Sequence, residues 1–128
     1  MTYSSRLPSY ILDTLGVYYM MCALSAIFAP NLWVQLANMQ LDITSSVALL
    51  FGVIGAYMAA VSLVSFAASR LPSARRPLIK ILIVANALDA FVTTRALYDA
   101  VLPIASALSF LGVIALCVGG LLLSLRQA

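Results

Sequence analysis

Hydrophobic residues form four long, uninterrupted runs along this chain, and short segments rich in proline, arginine and polar residues separate them. The runs cover about residues 9–28, 46–69, 78–98 and 103–125. Each is close to the roughly 20 residues that an α-helix needs to cross the hydrocarbon core of a bilayer. None shows the period-two alternation of barrel strands. The pattern predicts an all-α polytopic membrane protein, with four transmembrane helices forming a single domain over residues 1–128.

The segment between the first two runs has the spacing of an amphipathic helix. Apolar and polar residues recur on neighbouring helical faces, the apolar set being Leu32, Trp33, Leu36, Met39 and Ile43 and the polar set Asn31, Gln35, Asn38 and Asp42. This period predicts a short helix over about residues 31–43 that lies in the membrane interface. An ordered loop is the alternative.

Composition excludes several classes of protein. Of the 128 residues, 64 % are hydrophobic and 9 % are charged, and the mean hydropathy is +1.09. Soluble domains are typically about 45–50 % apolar and about 25 % charged. A soluble globular domain is therefore excluded. A disordered or nucleic-acid-binding protein is excluded too, because the net charge of +3 is spread over a very apolar chain.

Missing residue types limit the chemistry. The sequence contains no histidine and no glutamate, which excludes a haem or pigment held through imidazole and a Glu-based di-iron site. The cysteines, Cys22 and Cys117, lie within apolar runs and form no C-x-x-C motif, so they are predicted to be core residues. We expect no metal ion and no cofactor bound through the chain's own ligands. Contact with a lipid, a quinone or a pigment stays open.

Basic residues predict the orientation in the membrane. Six of the seven fall on one side of the predicted helices, namely Arg6, Arg70, Arg75, Arg76, Lys80 and Arg126. The positive-inside rule then places both termini in the cytoplasm, and we expect a bacterial inner membrane protein. The group formed by Arg70, Arg75, Arg76 and Lys80 is a candidate site for anionic lipid head groups, with a purely topological role as the alternative.

Charged and aromatic residues near the ends of the runs suggest local contacts. On the other side of the membrane, Arg95 and Tyr98 at the end of the third helix and Trp33 in the connecting segment are predicted to be interfacial anchors. Near the cytoplasmic side, Asp13 is expected to reach water or to pair with a basic residue at its level, the candidates being Arg6, Arg76 and Lys80.

A carboxylate falls near the middle of the third run. Asp89 has Asn86 and Thr93 on the same helical face. At similar depth lie three tyrosines of the first two helices, Tyr18, Tyr19 and Tyr57. A carboxylate at the centre of a transmembrane helix costs about 2.5–3.5 kcal/mol, which makes Asp89 a functional candidate. The alternative is a structural polar network that fixes helix register.

Two helices carry faces of small residues. The second helix has Gly52, Gly55 and Ala59, and the fourth has Ser109, Gly112, Ala115 and Gly119. Small residues allow close helix packing in lipid. Both faces can serve the internal bundle, or one can meet a partner. We expect the fourth helix to present the external face, because it is terminal whereas the second helix has sequence neighbours on both sides.

The layout resembles that of small bacterial four-helix membrane proteins of the DoxX-like kind. The resemblance rests on Pro30-Asn31-Leu32-Trp33, on the basic segment around Arg75 and Arg76, and on Asn86-Ala87-Leu88-Asp89. It covers most of the chain but involves no catalytic motif. It implies an accessory membrane protein, sometimes associated with electron-transfer chains.

Three functions follow from these patterns. The first is a non-catalytic accessory subunit of a larger integral membrane complex, such as a respiratory or photosynthetic assembly, which it stabilises or in which it shapes lipid or quinone access. Its partners would be other membrane subunits and lipids, not nucleic acid. The second is a small proton-coupled transporter that works as an oligomer through Asp89. The third is a membrane enzyme acting on a lipid or isoprenoid, for which a single carboxylate is a poor constellation.

Overall fold

A computed structural model describes residues 6–128, and within this range it contains five α-helices. Their bounds are Leu7–Phe28 (α1), Pro30–Leu36 (α2), Ser45–Arg70 (α3), Arg75–Tyr98 (α4) and Ile104–Gln127 (α5). The four long helices are long and apolar enough to cross a membrane. The prediction of four long apolar helices is confirmed.

Local sequence sets several of the helix ends. Pro8 and Pro30 lie in the first turns of α1 and α2, where proline leaves no helical hydrogen bond unmade. Thr44 caps α3, and its side chain accepts a hydrogen bond from the backbone N–H of Val47 at 3.3 Å. The extended conformation of Pro103 precedes α5.

The four long helices form a ring in which each packs against the next. The most extensive contact is between α1 and α3, and the ring continues from α3 to α4, from α4 to α5 and from α5 back to α1. Contacts between Ser9 and Ser69 and between Arg75 and Ser9 place the start of α1, the end of α3 and the start of α4 together. We call this the basic end of the bundle.

Serine hydroxyls join α1 to α3 along their interface. Ser62 Oγ donates to the backbone oxygen of Gly16 at 2.6 Å, and Ser65 Oγ donates to that of Leu12 at 2.7 Å. Both serines are fully buried. Because each hydroxyl bonds a backbone oxygen of the other helix, the bonds fix the register of the two helices directly.

Two glycines allow this close approach. A Cβ atom on Gly16 would lie 2.8 Å from the ring of Phe66, and one on Gly55 would lie 2.8 Å from the backbone oxygen of Ala23. The two helices therefore pack at a distance that even a methyl group would disturb.

The main core lies toward the basic end and draws on all four long helices. Its buried members are Leu12, Tyr19, Val61, Ala68, Ile79, Leu82, Ala85 and Leu121. A smaller cluster at the opposite end contains Ala37, Leu102 and Ala107. Cys22 and Cys117 are both buried, as predicted for core residues.

The connecting segment differs from its prediction. A helix was expected over about residues 31–43, but α2 ends at Leu36 and contains no buried residue. Asn38 adopts the left-handed conformation, with φ of 49°, which ends the helix. The backbone N–H of Gln40 then donates to the backbone oxygen of Val101 at 2.9 Å. This tertiary hydrogen bond joins the segment to the α4–α5 connection. A longer α2 would need the same N–H group for a hydrogen bond within the helix.

Candidate functional site

A buried hydrogen bond crosses the centre of the bundle. Asn86 Nδ2 of α4 donates to the hydroxyl of Tyr19 of α1 at 2.7 Å, and it also donates to the backbone oxygen of Leu82 at 2.9 Å. Asn86 is 1 % exposed and Tyr19 is 2 % exposed. Because these polar groups satisfy each other away from solvent, the pair acts as a structural link between helices that otherwise lie diagonally across the ring.

Asp89 lies less than one turn further along the same side of α4 and differs from Asn86 in two respects. It is half-buried rather than fully buried. No side chain among residues 6–128 forms a hydrogen bond or an ion pair with it. Thr93, also half-buried, continues this face. The carboxyl group of Asp89 and the hydroxyl of Thr93 are therefore polar groups of this face that form no hydrogen bond within the described residues.

Tyrosines and cysteines of the other helices lie within electrostatic range of Asp89. Tyr18, Tyr19 and Tyr57 are all close enough to interact with it electrostatically. The Tyr57 hydroxyl donates to the backbone oxygen of Ala85 at 3.3 Å, and the rings of Tyr18 and Tyr19 lie 5.5 Å apart. The structure thus joins Asn86 to Tyr19 directly, whereas Tyr57 contacts α4 through the backbone oxygen of Ala85.

The two cysteines belong to the same cluster, which the sequence did not predict. Cys22 lies beside Tyr18 and Cys117 lies beside Tyr19, and both are near Asp89. Their position in the middle of the first and last apolar runs was the only available signal. Among the described residues, no group of three or more His, Cys, Asp or Glu side chains is placed to hold a metal ion.

The two faces of small residues have different surroundings. On α3, Gly55 is buried against α1, while Gly52 and Ala59 are half-buried. On α5, the predicted face is exposed throughout, and it consists of Ser109, Gly112, Ala115 and Gly119. A Cβ atom on Gly112 or Gly119 would have no atom within 4 Å. We call these four residues the small α5 face.

One of the four candidate head-group residues is engaged within the protein. Arg75 donates from Nε to the backbone oxygen of Ala68 at 3.0 Å, and from its terminal nitrogen to that of Ser69 at 2.9 Å. The same nitrogen donates to Ser9 Oγ at 3.0 Å. Arg75 therefore satisfies the last carbonyls of α3 and holds them to α1, which leaves it little freedom to bind a lipid.

The other basic residues of this group are more accessible. Arg70 lies 3.8 Å from Asp13, and its side chain is 75 % exposed. The partner of Asp13 is therefore Arg70, and not Arg6, Arg76 or Lys80 as expected. Arg76 and Lys80 are both exposed on the first turns of α4.

The three predicted anchors all make contacts at the opposite end. Trp33 Nε1 donates to Ser25 Oγ at 2.9 Å, and the indole lies 6.1 Å from the ring of Phe110. Arg95 Nε bonds Asp99 at 2.8 Å, and the guanidinium group lies 5.6 Å above the ring of Tyr98. Trp33 thus attaches α2 to the bundle, whereas Arg95 and Tyr98 form an exposed pair.

The length and apolarity of four helices fit a multi-pass membrane protein. No protein-family model matches the sequence, and no curated protein or solved structure is significantly similar to it. The resemblance to DoxX-like proteins therefore stays a prediction.

Proposed function

We propose that this chain is a non-catalytic accessory subunit of a larger integral membrane complex. The observation that carries the proposal is the small α5 face, which is exposed along its whole length and has open space over both of its glycines. The resemblance to DoxX-like proteins directs the search first toward electron-transfer assemblies.

Helix packing in lipid gives this face its significance. Apolar side chains gain little by leaving lipid for protein, so transmembrane helices associate through close packing at small residues. The α1–α3 interface uses its glycines and serines in this way within the chain. The two glycines of the small α5 face, Gly112 and Gly119, have no such neighbour within residues 6–128. In the most apolar 18-residue stretch of each helix, 39 % of α1 is buried but only 17 % of α5.

The test compares two open glycines. The chain would be purified from its native membrane in mild detergent, and its co-migration with a large complex would be followed by native electrophoresis. Gly112→Leu should abolish co-migration, because a leucine there keeps the partner helix away. Gly52→Leu, the control, adds the same side chain at another position without close neighbours and should keep the complex. A wild-type chain that runs alone, or a Gly112→Leu chain that still co-migrates, would contradict the proposal.

Proton-coupled transport is the second candidate, and the lack of a partner for Asp89 within the described residues favours it. In proteoliposomes with an imposed pH gradient, a transporter would lose proton-driven flux on Asp89→Asn while its expression and folding were unchanged. Asp42→Asn, in the exposed connection before α3, is the matched control. An accessory subunit would show no flux with any of these chains, and Asp89→Asn would leave its co-purification intact.

A further inference from the structure

The start of α4 carries two basic residues that the packing of the bundle does not use. Arg76 and Lys80 are both exposed, and neither forms an ion pair within the described residues. They differ from Arg75, whose guanidinium group donates to serine and backbone oxygens. They also differ from Arg70, which lies 3.8 Å from Asp13. The positive charges of Arg76 and Lys80 are therefore available to an external anion.

The two side chains lie on one face of α4 and lean in the same direction. They are four residues apart in a continuous helix, which separates their Cα atoms by roughly 6 Å along the helix axis. Helical side chains tilt toward the N-terminus of their helix, and for α4 that is the basic end. Lys80 therefore reaches back toward Arg76. Its apolar stem follows the helix surface while the amine points out of the hydrocarbon region.

An exposed apolar stripe continues the same face of α4 beyond Lys80. Val84, Ala87 and Phe91 follow at helical spacing, and all three are exposed. The rise from Lys80 to Phe91 is roughly 16 Å at about 1.5 Å per residue. A single leaflet contributes about half of the roughly 30 Å hydrocarbon core. This face therefore presents positive charge at the membrane surface and an apolar stripe about as long as one leaflet.

We propose that this face of α4 binds an anionic phospholipid, with the phosphate group between Arg76 and Lys80 and an acyl chain along the apolar stripe. The guanidinium group offers paired N–H donors to the phosphate, and the lysine amine adds a second positive charge. Because no carboxylate of the described residues pairs with either cation, the charge favours an anionic lipid over a neutral one. The stripe favours a lipid over free phosphate. This inference goes beyond the accessory function and does not depend on it, since that function rests on α5.

The experiment measures the affinity of the detergent-purified chain for phosphatidylglycerol and for phosphatidylcholine by native mass spectrometry. The wild type should prefer phosphatidylglycerol. The double variant Arg76→Gln, Lys80→Gln should bind it roughly thirtyfold more weakly, since each basic residue near an anionic lipid contributes about fivefold. Arg76→Lys, Lys80→Arg keeps both charges and should retain the preference.

The matched control is Arg76→Gln, Arg126→Gln, which removes the same amount of charge. Arg126 lies in the last turn of α5 and, by its spacing, on the face of Gly112 and Gly119. This control should therefore lose only the roughly fivefold contribution of Arg76. All these variants should remain as stable as the wild type, because the substituted residues are exposed.

Inorganic phosphate distinguishes a lipid from a free anion. Added to the wild type with bound phosphatidylglycerol, it should not displace the lipid, because it makes no contact with the apolar stripe. The proposal is wrong if the wild type shows no preference for phosphatidylglycerol, or if inorganic phosphate displaces the lipid as effectively as added phosphatidylglycerol does. It is also wrong if the two double glutamine variants lose affinity equally, which would indicate diffuse surface charge.

Discussion

Adding a single methyl group at Gly55 should force α1 and α3 apart. The new Cβ atom would lie 2.5 Å from Cγ1 of Ile27 and 2.8 Å from the backbone oxygen of Ala23. The Ile27 side chain can rotate away, but the Ala23 oxygen moves only if the helix backbone moves. The hydrogen bonds that the α3 serines donate to the α1 backbone would lengthen as the helices separate.

The expected cost follows from two opposing effects. Inserting an extra carbon into a close-packed interface typically costs about 1–3 kcal/mol. Replacing a helical glycine by alanine gains at most about 1 kcal/mol of helix propensity. Gly55→Ala should therefore lower the free energy of unfolding by up to about 2 kcal/mol relative to the wild type, and by about 1–3 kcal/mol relative to a glycine-to-alanine change that has the same propensity gain without the clash.

The matched control is Gly52→Ala, one turn earlier on α3, where a Cβ atom would have no neighbour within 4 Å. This variant keeps the propensity gain without the clash and should be at least as stable as the wild type. Both would be compared by reversible unfolding in mixed detergent micelles. Equal stabilities of Gly55→Ala and Gly52→Ala would refute the described α1–α3 interface.

Three further changes test single interactions by the same unfolding measurement. Arg75→Gln removes three hydrogen bonds at the basic end and should destabilise the fold by about 1–3 kcal/mol. The control Arg76→Gln, at an exposed position, should stay within about 0.5 kcal/mol of the wild type. Equal effects of the two variants would contradict the role assigned to Arg75. Ala100→Gly should stabilise the fold by about 1 kcal/mol, since φ at this position is 56°, and a loss of stability would argue against that conformation. Tyr19→Phe deprives the buried Asn86 of an acceptor and should cost about 0.6–1.7 kcal/mol; no loss would mean that the bond is not formed.

The long helices were predictable because their signals are local. Each apolar run is long enough to cross a bilayer, and prolines or Thr44 mark several of the starts. The end of α2 was not predictable in the same way. The apolar period continues to Ile43, but a left-handed Asn38 and the bond from Gln40 to Val101 end the helix first. That bond joins residues about sixty positions apart, so no window of local sequence contains it.

The sequence predicted how far along their helices the candidate-site residues lie, but not which of them contact each other. Counting along the runs placed Asn86, Asp89 and the tyrosines at one level of the membrane. Which of them meet depends on how each helix is rotated about its axis, and only the packed bundle selects Tyr19 for Asn86. The role of Arg75 could not be predicted for the same reason, since its acceptor Ser9 lies on another helix. Cysteine counts as an apolar residue in such a run. The sequence therefore predicted a core position for Cys22 and Cys117 and no membership of a polar cluster.

Asn86 and Asp89 show that two polar residues on the same helical face can have different structural roles. Both lie on the inward side of α4, yet the amide is buried with two acceptors while the carboxyl group is half-buried without a partner among the described residues. A carboxylate at this depth costs about 2.5–3.5 kcal/mol, and the bundle supplies no described contact that compensates for it. The packing of this chain therefore does not account for Asp89. In an accessory subunit, Asp89→Asn should leave co-purification with the complex intact. If Asp89 exchanges a proton during transport, Asp89→Asn should stop flux and leave the oligomeric state unchanged.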